Sequence, residues 1–354
     1  MSFEDKAKKA LVNSICLLLE KNPENNIPKI FKLSKALTKD DTTKKILRDI
    51  EKSYEEIPSV KKFFDNSLLN INPEIKRTIF MNLIGNKPLN KSEKKYLPLS
   101  MILSPNNLCN LSCLNCTLSK NTKEVLKFND FDKMINNIHN LGINVVILFG
   151  GEPFLIDFIY NIYEKYNDII FTPVTNGTLF TEITINKLLK LGNVIPIITL
   201  SNNKKEVDFA NGYGTFDKVM HGMDLLKNNG IPFGVSTPVS SENISTVTSD
   251  KFVDMLINSG SKFSIYSNSF CSNAHICNTL SVDERISLES KINVLRNSKP
   301  YFFIDLFNDY KYIKELLCSK KNAAQNSLLF TKIPYKNLQS ISIDDIIHSS
   351  LNNI

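Results

Sequence analysis

SMILSPNNLCNLSCLNC, from Ser100 to Cys116, sets a short apolar run directly against a polar loop that carries three cysteines. Upstream of it the pattern is helical throughout. Apolar residues recur at helical spacing over Ala10 to Leu19, Ile30 to Leu37 and Ile46 to Phe64, punctuated by Pro23, Pro28, Pro58 and Pro73. Residues 1–96 therefore read as an all-helical N-terminal region, with Pro98 marking its end. Downstream the period changes. Further short apolar runs occur at NVVILF (Asn144 to Phe149), IIFTPV (from Ile169), VIPIITL (from Val194), PFGVST (from Pro232) and KFSIYS (from Lys262), six in all with SMILS. Helical patterns fit between them at Asp130 to Asn140, with Gly142 as a stop signal, and at Asp157 to Tyr166, Thr181 to Leu191, Thr215 to Asn229 and Ser249 to Ser259.

Strand and helix in alternation imply parallel strands joined by crossover helices. Six such units fall short of a closed eight-fold barrel, so the expected fold is α/β: a partial (β/α)6 barrel over residues 97–309, open on one side. In such a sheet the site lies at the carboxyl ends of the strands. A helix at Val282 to Arg296 and a strand at Tyr301 to Asp305 follow. Residues 310–354 are weakly patterned and read as a short C-terminal lobe ending in a helix at Ile343 to Ser349.

The loop after the first strand thus occupies a ligand-binding position, and its three thiols, Cys109, Cys113 and Cys116, are spaced four and three residues apart. Thiolates are soft ligands that suit iron–sulfur clusters and zinc. A structural zinc site needs four ligands, and the remaining candidates (His139, His221, His275, His348, Cys16, Cys271, Cys277 and Cys318) lie at no finger-like spacing. Three thiolates hold three irons of a cubane and leave the fourth open to an exogenous ligand. After the second strand comes GGEPF, Gly150 to Phe154, in which two glycines permit a tight turn and close backbone approach, and Glu152 offers an acceptor for a cationic amine. TNG, Thr175 to Gly177, ends the third strand.

Composition bounds the remaining readings. At 354 residues and 42% hydrophobic content the chain can bury a sizeable core, and it contains no low-complexity run. All of its +7 formal charge sits in the first 100 residues, which hold 20 Lys plus Arg against 13 Asp plus Glu. Acids are interspersed there and aromatic–basic alternation is absent, so solvated helix faces are expected rather than a nucleic-acid surface. No apolar stretch is long enough to span a bilayer. Seven cysteines with three clustered fit a reducing compartment, and the cytoplasm is expected. Cys16 reads as a small core residue, His221 as a surface or packing histidine, and Tyr266 and Tyr301 as packing residues.

The order CNLSCLNC, GGEPF and TNGT resembles the radical S-adenosylmethionine (SAM) superfamily, over roughly Leu99 to Asp309. LSPNNLCNLSC, NDIIFTPVTNGTL, GTFDKV and FNDY are similar to its SPASM-type branch, which includes peptide-modifying enzymes. The resemblance implies that Cys109, Cys113 and Cys116 bind a 4Fe-4S cluster whose open iron chelates SAM. It implies further that Gly150, Gly151, Glu152 and Pro153 form the turn that holds the SAM amine, that Thr175 and Asn176 lie near its methionyl or ribose portion, and that Ser201 and Ser236 belong to the same cofactor site. Reductive cleavage of SAM to a 5'-deoxyadenosyl radical, hydrogen abstraction from a peptide or small-molecule substrate, and an external one-electron donor such as flavodoxin or ferredoxin are implied as well.

Two departures from that pattern are visible. Where similar proteins carry a pair of arginines after strand four, this chain has Ser201, Asn202 and Asn203, then Asp208 to Asn211. An arginine there would pair with the SAM carboxylate. The tail also has a single cysteine, Cys318, where an auxiliary cluster needs about four. The C-terminal region is therefore expected to be a degenerate SPASM-like tail without a cluster. A non-catalytic, cluster-binding partner protein is the alternative.

Overall fold

The computed structural model describes residues 13–18, 23–37, 41–67, 71–84, 100–114, 116, 125–140, 142–268, 280–306, 308–309 and 330–333. Cys271, His275, Cys277, Cys318 and the expected helix at 343–349 lie outside the described residues.

Every described residue stretch before residue 85 is built from helix: α1 (residues 13–18), α2 (Pro23–Leu37), α3 (Asp41–Glu56), α4 (Pro58–Ser67) and α5 (Pro73–Ile84). Three of the four long helices begin on proline, whose fixed φ suits the first turn and whose missing N–H has no partner there in any case. Ile15, Ile27, Phe31 and Tyr54 form a small core of their own, with Phe64 packed against it. Phe31, Tyr54 and Phe64 contact one another at ring separations of 5.8–6.0 Å. Cys16 is buried at 1% exposure, as expected for a small apolar side chain. α5 belongs elsewhere: its Ile75 joins the main core, and Asn82 donates to the Asn167 carbonyl at 2.9 Å.

The rest alternates as the periodicity demands. The elements are β1 (Ser100–Leu103), α6 (Phe128–Asn140), β2 (Val145–Leu148), a 3-10 turn η1 (Pro153–Leu155), α7 (Ile159–Lys165), β3 (Ile170–Thr175), α8 (Glu182–Leu191), β4 (Ile197–Thr199), α9 (Lys204–Asn211), α10 (Thr215–Asn228), β5 (Gly234–Val239), α11 (Ile244–Val247), α12 (Asp250–Asn258), β6 (Phe263–Asn268), α13 (Val282–Ser298), β7 (Phe302–Asp305) and β8 (Phe330–Ile333). All strand pairs are parallel. The order β7-β6-β5-β4-β3-β2-β1-β8 is linear, so the sheet curls as a half-barrel without closing.

The crossover helices form because their apolar residues fall on one face. In α6, Phe131, Met134, Ile135 and Ile138 are spaced three and four apart, and all are buried in the main core. Gly142, at φ 76°, follows its end. α8 is capped by Thr181 and ended by Gly192 in the left-handed conformation.

Several elements depart from the expectation. α9 was not anticipated: only Val207 in it is buried, too weak a stripe to show periodicity, although Asn203 caps its N-terminus through the Glu206 N–H. β8 comes from the weakly patterned tail, where no strand is expected, and extends the sheet beside β1. β4 is shorter than its apolar run because Pro196 cannot donate to a ladder.

Candidate functional site

The loop after β1 and the turn after β2 run side by side as a continuation of the sheet. Phe149 N donates to Leu103 O at 2.8 Å, Gly151 N to Asn106 O at 2.9 Å and Glu152 N to Leu108 O at 2.7 Å. This approach explains both glycines. A Cβ on Gly151 would meet Leu108 O at 2.1 Å, and one on Gly150 would meet Asn106 O at 2.6 Å. The glycine pair therefore fixes the path of the chain into Cys109.

Glu152 is wholly buried, and its carboxylate is engaged by the protein itself. It accepts from Thr175 Oγ1 at 2.9 Å to both oxygens, from Asn176 N at 2.9 Å and from Phe154 N at 3.2 Å. Burial pushes its pKa up to about 6, against the lowering effect of those donors. The side chain thus ties the β2 turn to the β3 turn, and its carbonyl is held by Asn106 Nδ2 at 3.1 Å. Pro153 is buried at the start of η1.

Among the described residues, Cys109, Cys113 and Cys116 form no disulfide. Cys109 Sγ accepts from Leu111 N at 3.5 Å and from Asn176 Nδ2 at 3.7 Å. Burial raises the Cys109 thiol pKa and the Glu152 charge adds to the rise, while these two donors oppose it. Leu114 N donates to Ala210 O at 2.9 Å, which docks the cysteine loop on the carboxyl end of α9. That contact gives α9, unmarked by periodicity, a place in the site.

A groove of about 550 Å³ opens at the carboxyl ends of the central strands, a size that suits a small-molecule ligand. It is lined by all three cysteines, by Gly150, Gly151 and Glu152, by Thr175 and Asn176, and by Ser201 and Ser236. Of the residues expected in the cofactor site, Pro153 alone does not line it. Elements about 130 residues apart in sequence thus converge because parallel strands present all their carboxyl ends on one edge.

The groove also has walls that the motifs did not indicate. α9 contributes Glu206, Phe209 and Asn211, and the loop after β5 contributes Glu242 and Asn243. Asn243 donates to the carbonyls of Ser201 at 3.0 Å and Pro238 at 2.9 Å, and its Oδ1 accepts from Ser240 N at 2.8 Å. One buried amide therefore joins the β4 and β5 loops. Among the described residues the groove is lined by no lysine or arginine.

Other candidates lie outside it. His221 is exposed on α10. Tyr266 OH donates to Val247 O at 2.9 Å, and Tyr301 OH shares hydrogen bonds with Ser261 and Ser264, at 2.7 and 2.9 Å. Both tyrosines are buried packing residues.

The donor set at the groove is three soft thiols, which suits an iron–sulfur cluster. Among the described residues, Cys109, Cys113 and Cys116 included, no group of three His, Cys, Asp or Glu side chains is already gathered closely enough to hold a metal ion, and no helix is long and apolar enough to cross a membrane.

The half-barrel is shared with solved structures. Streptococcus suis SuiB bound to S-adenosylmethionine superposes with a TM-score of 0.55 at 17% identity, covering 77% of this chain and 72% of that one. Native anSMEcpe with bound AdoMet also gives 0.55 at 17% identity, covering 72% and 82%. Among curated proteins, the uncharacterized protein MJ0907 of Methanocaldococcus jannaschii is 31% identical over 175 residues, 46% of this chain and 59% of that protein. AdoMet-dependent heme synthase of Methanosarcina barkeri is 28% identical over 148 residues, 40% of this chain and 42% of that enzyme. The chain thus spans about half the length of these two relatives. Residues 103–251, which carry the three thiols, both turns and strands β2 to β5, match the Radical SAM superfamily.

Proposed function

We propose that this chain binds a 4Fe-4S cluster through Cys109, Cys113 and Cys116 and S-adenosylmethionine in the adjoining groove, and that it abstracts hydrogen from a peptide or small-molecule substrate. The observation that carries the reading is that Cys109, Cys113 and Cys116 line the same groove as the glycine turn, Thr175, Asn176, Ser201 and Ser236. When bound, such a cluster supplies one electron to the SAM sulfonium, releasing methionine and a 5'-deoxyadenosyl radical. The chain's own part is positioning. Gly150 and Gly151 hold the cysteine loop, and Glu152 fixes the β3 turn beside it. An external one-electron donor such as flavodoxin or ferredoxin completes the scheme, which requires neither a membrane nor a nucleic acid and fits a cytoplasmic enzyme. A peptide substrate is favoured by the shared fold with SuiB and anSMEcpe, whose structures include complexes with a precursor peptide and with peptides. The SPASM-type branch with a degenerate C-terminal region over 310–354, following a helical region 1–96 and a core at 97–309, is part of the same proposal.

A second reading, a non-catalytic cluster-binding partner protein, is favoured by the absence of a lysine or arginine among the described lining residues. A free SAM carboxylate would then lack a cationic partner. Anaerobic incubation of the reconstituted protein with dithionite and SAM separates the two. Formation of 5'-deoxyadenosine above the level of a Cys113→Ala control supports the enzyme. A cluster-bearing protein that yields none supports the partner, and protein without iron and sulfide overturns both.

A further inference from the structure

We propose that Asn176 sets the reduction potential of the cluster by donating its side-chain amide N–H to the Cys109 sulfur. This rests on the cluster-binding reading above. The amide nitrogen lies 3.7 Å from Cys109 Sγ, within reach for a large sulfur acceptor.

Its orientation is set by the other end of the group. Asn176 Oδ1 accepts from Thr178 N at 3.0 Å and from Thr178 Oγ1 at 2.7 Å. A flip of the amide would turn its NH2 toward the Thr178 N–H and leave that donor unmatched. Asn176 Nδ2 also donates to Asn110 Oδ1 at 2.8 Å, and Asn110 Nδ2 donates to Thr178 Oγ1 at 2.9 Å, closing a ring of three side chains. The main chain at Asn176 is anchored by its N–H on the buried Glu152 carboxylate. The donor is therefore rigid before any cofactor arrives.

A hydrogen bond to a ligating sulfur withdraws charge from it and stabilises the more negative, reduced state of a cluster. Leu111 N donates to the same sulfur from the backbone, 3.5 Å away, and no substitution can remove it short of proline. Asn176 is the adjustable donor of the two. It acts through Cys109, so its role is one of tuning, and a potential is the quantity to read.

The experiment is a reductive titration of anaerobically reconstituted protein followed by electron paramagnetic resonance, on wild type, Asn176→Ala, Asn176→Asp and Asn110→Ala. Asp keeps the oxygen that accepts from Thr178 and loses the N–H, so it preserves the turn. The expected result is a full complement of iron and sulfide in all four, a lower midpoint potential in both Asn176 variants with the larger fall in Asp, and an unchanged midpoint in Asn110→Ala. An unchanged midpoint in a loaded Asn176→Ala protein overturns the proposal and leaves the cluster reading intact. If Asn176→Ala fails to load, a midpoint in Asn176→Asp at or above wild type overturns it. A fall in Asn110→Ala equal to that in Asn176→Ala assigns the effect to the polar ring and overturns it too. Wild-type protein without iron and sulfide overturns the functional reading first.

Discussion

The Thr175 hydroxyl lies 2.9 Å from both carboxylate oxygens of Glu152, inside a region where that carboxylate is wholly buried. Glu152 is thereby a brace between two loops as well as a wall of the groove. A buried carboxylate with three hydrogen-bonding partners and a pKa of about 6 keeps its charge at neutral pH only because those donors replace water.

Stability should report that balance. Glu152 binds its proton more tightly in the folded chain, at about 6, than in the unfolded one, at 4.5. The folded state then holds more protons between these values, so this group's contribution falls as pH rises from 4.5 to 6, by about 2 kcal/mol, and is undiminished below 4.5. Urea unfolding of wild type and Glu152→Gln should show the difference between them shifting against wild type by that amount over this window. A difference that stays constant from pH 4 to 7 would refute the assignment.

Gly151→Ala should displace the cysteine loop, because its Cβ would stand 2.1 Å from Leu108 O. Overpacking of this kind costs about 1–3 kcal/mol. The expected outcome is a lowered unfolding midpoint together with reduced iron and sulfide after reconstitution. Gly214→Ala is the comparison: no atom lies within 4 Å of its Cβ, and its φ of 76° costs about 1–2 kcal/mol by itself. It should destabilise without reducing iron and sulfide, since nothing at the thiols moves.

Asn193 is buried at 0% exposure, with its amide nitrogen 2.9–3.2 Å from the carbonyls of Tyr163, Tyr166 and Ile169. It holds the end of α7 against the chain entering β3. Asn193→Leu deprives those carbonyls of a donor and should cost about 1–3 kcal/mol, read as a shift in urea midpoint. The three thiols are remote from this amide in the fold, so metal content per folded molecule should not change.

Ser281 and Glu284 form a reciprocal capping box at the start of α13, with Glu284 N donating to Ser281 Oγ at 3.3 Å and Ser281 N to Glu284 Oε2 at 2.7 Å. Ser281→Ala should destabilise by about 1 kcal/mol. Thermal unfolding followed by circular dichroism checks it, and no change would mean that the cap is redundant with packing of Leu288 and Ile292.

Much of this architecture was present in the chain's periodicity. Parallel strands buried on both faces must be continuous apolar runs, as in IIFTPV and NVVILF, and crossover helices must carry an apolar stripe, as in α6; both signals are local and survive without a fold. The thiol spacing and the glycine pair were local signals of the same kind. What periodicity could not contain is any relation between distant residues. α9 buries one residue, so its place at the groove came from Leu114 meeting Ala210, across 96 positions. Glu152 reads in sequence as an amine acceptor, whereas the approach of β3 turns its carboxylate onto Thr175 and Asn176. The Asn176 amide reaches Cys109 only because strands β1 and β3 end on the same edge of the sheet, 67 residues apart. Covalent order specified which elements form; the mutual burial of those elements decided which polar groups were left to face one another.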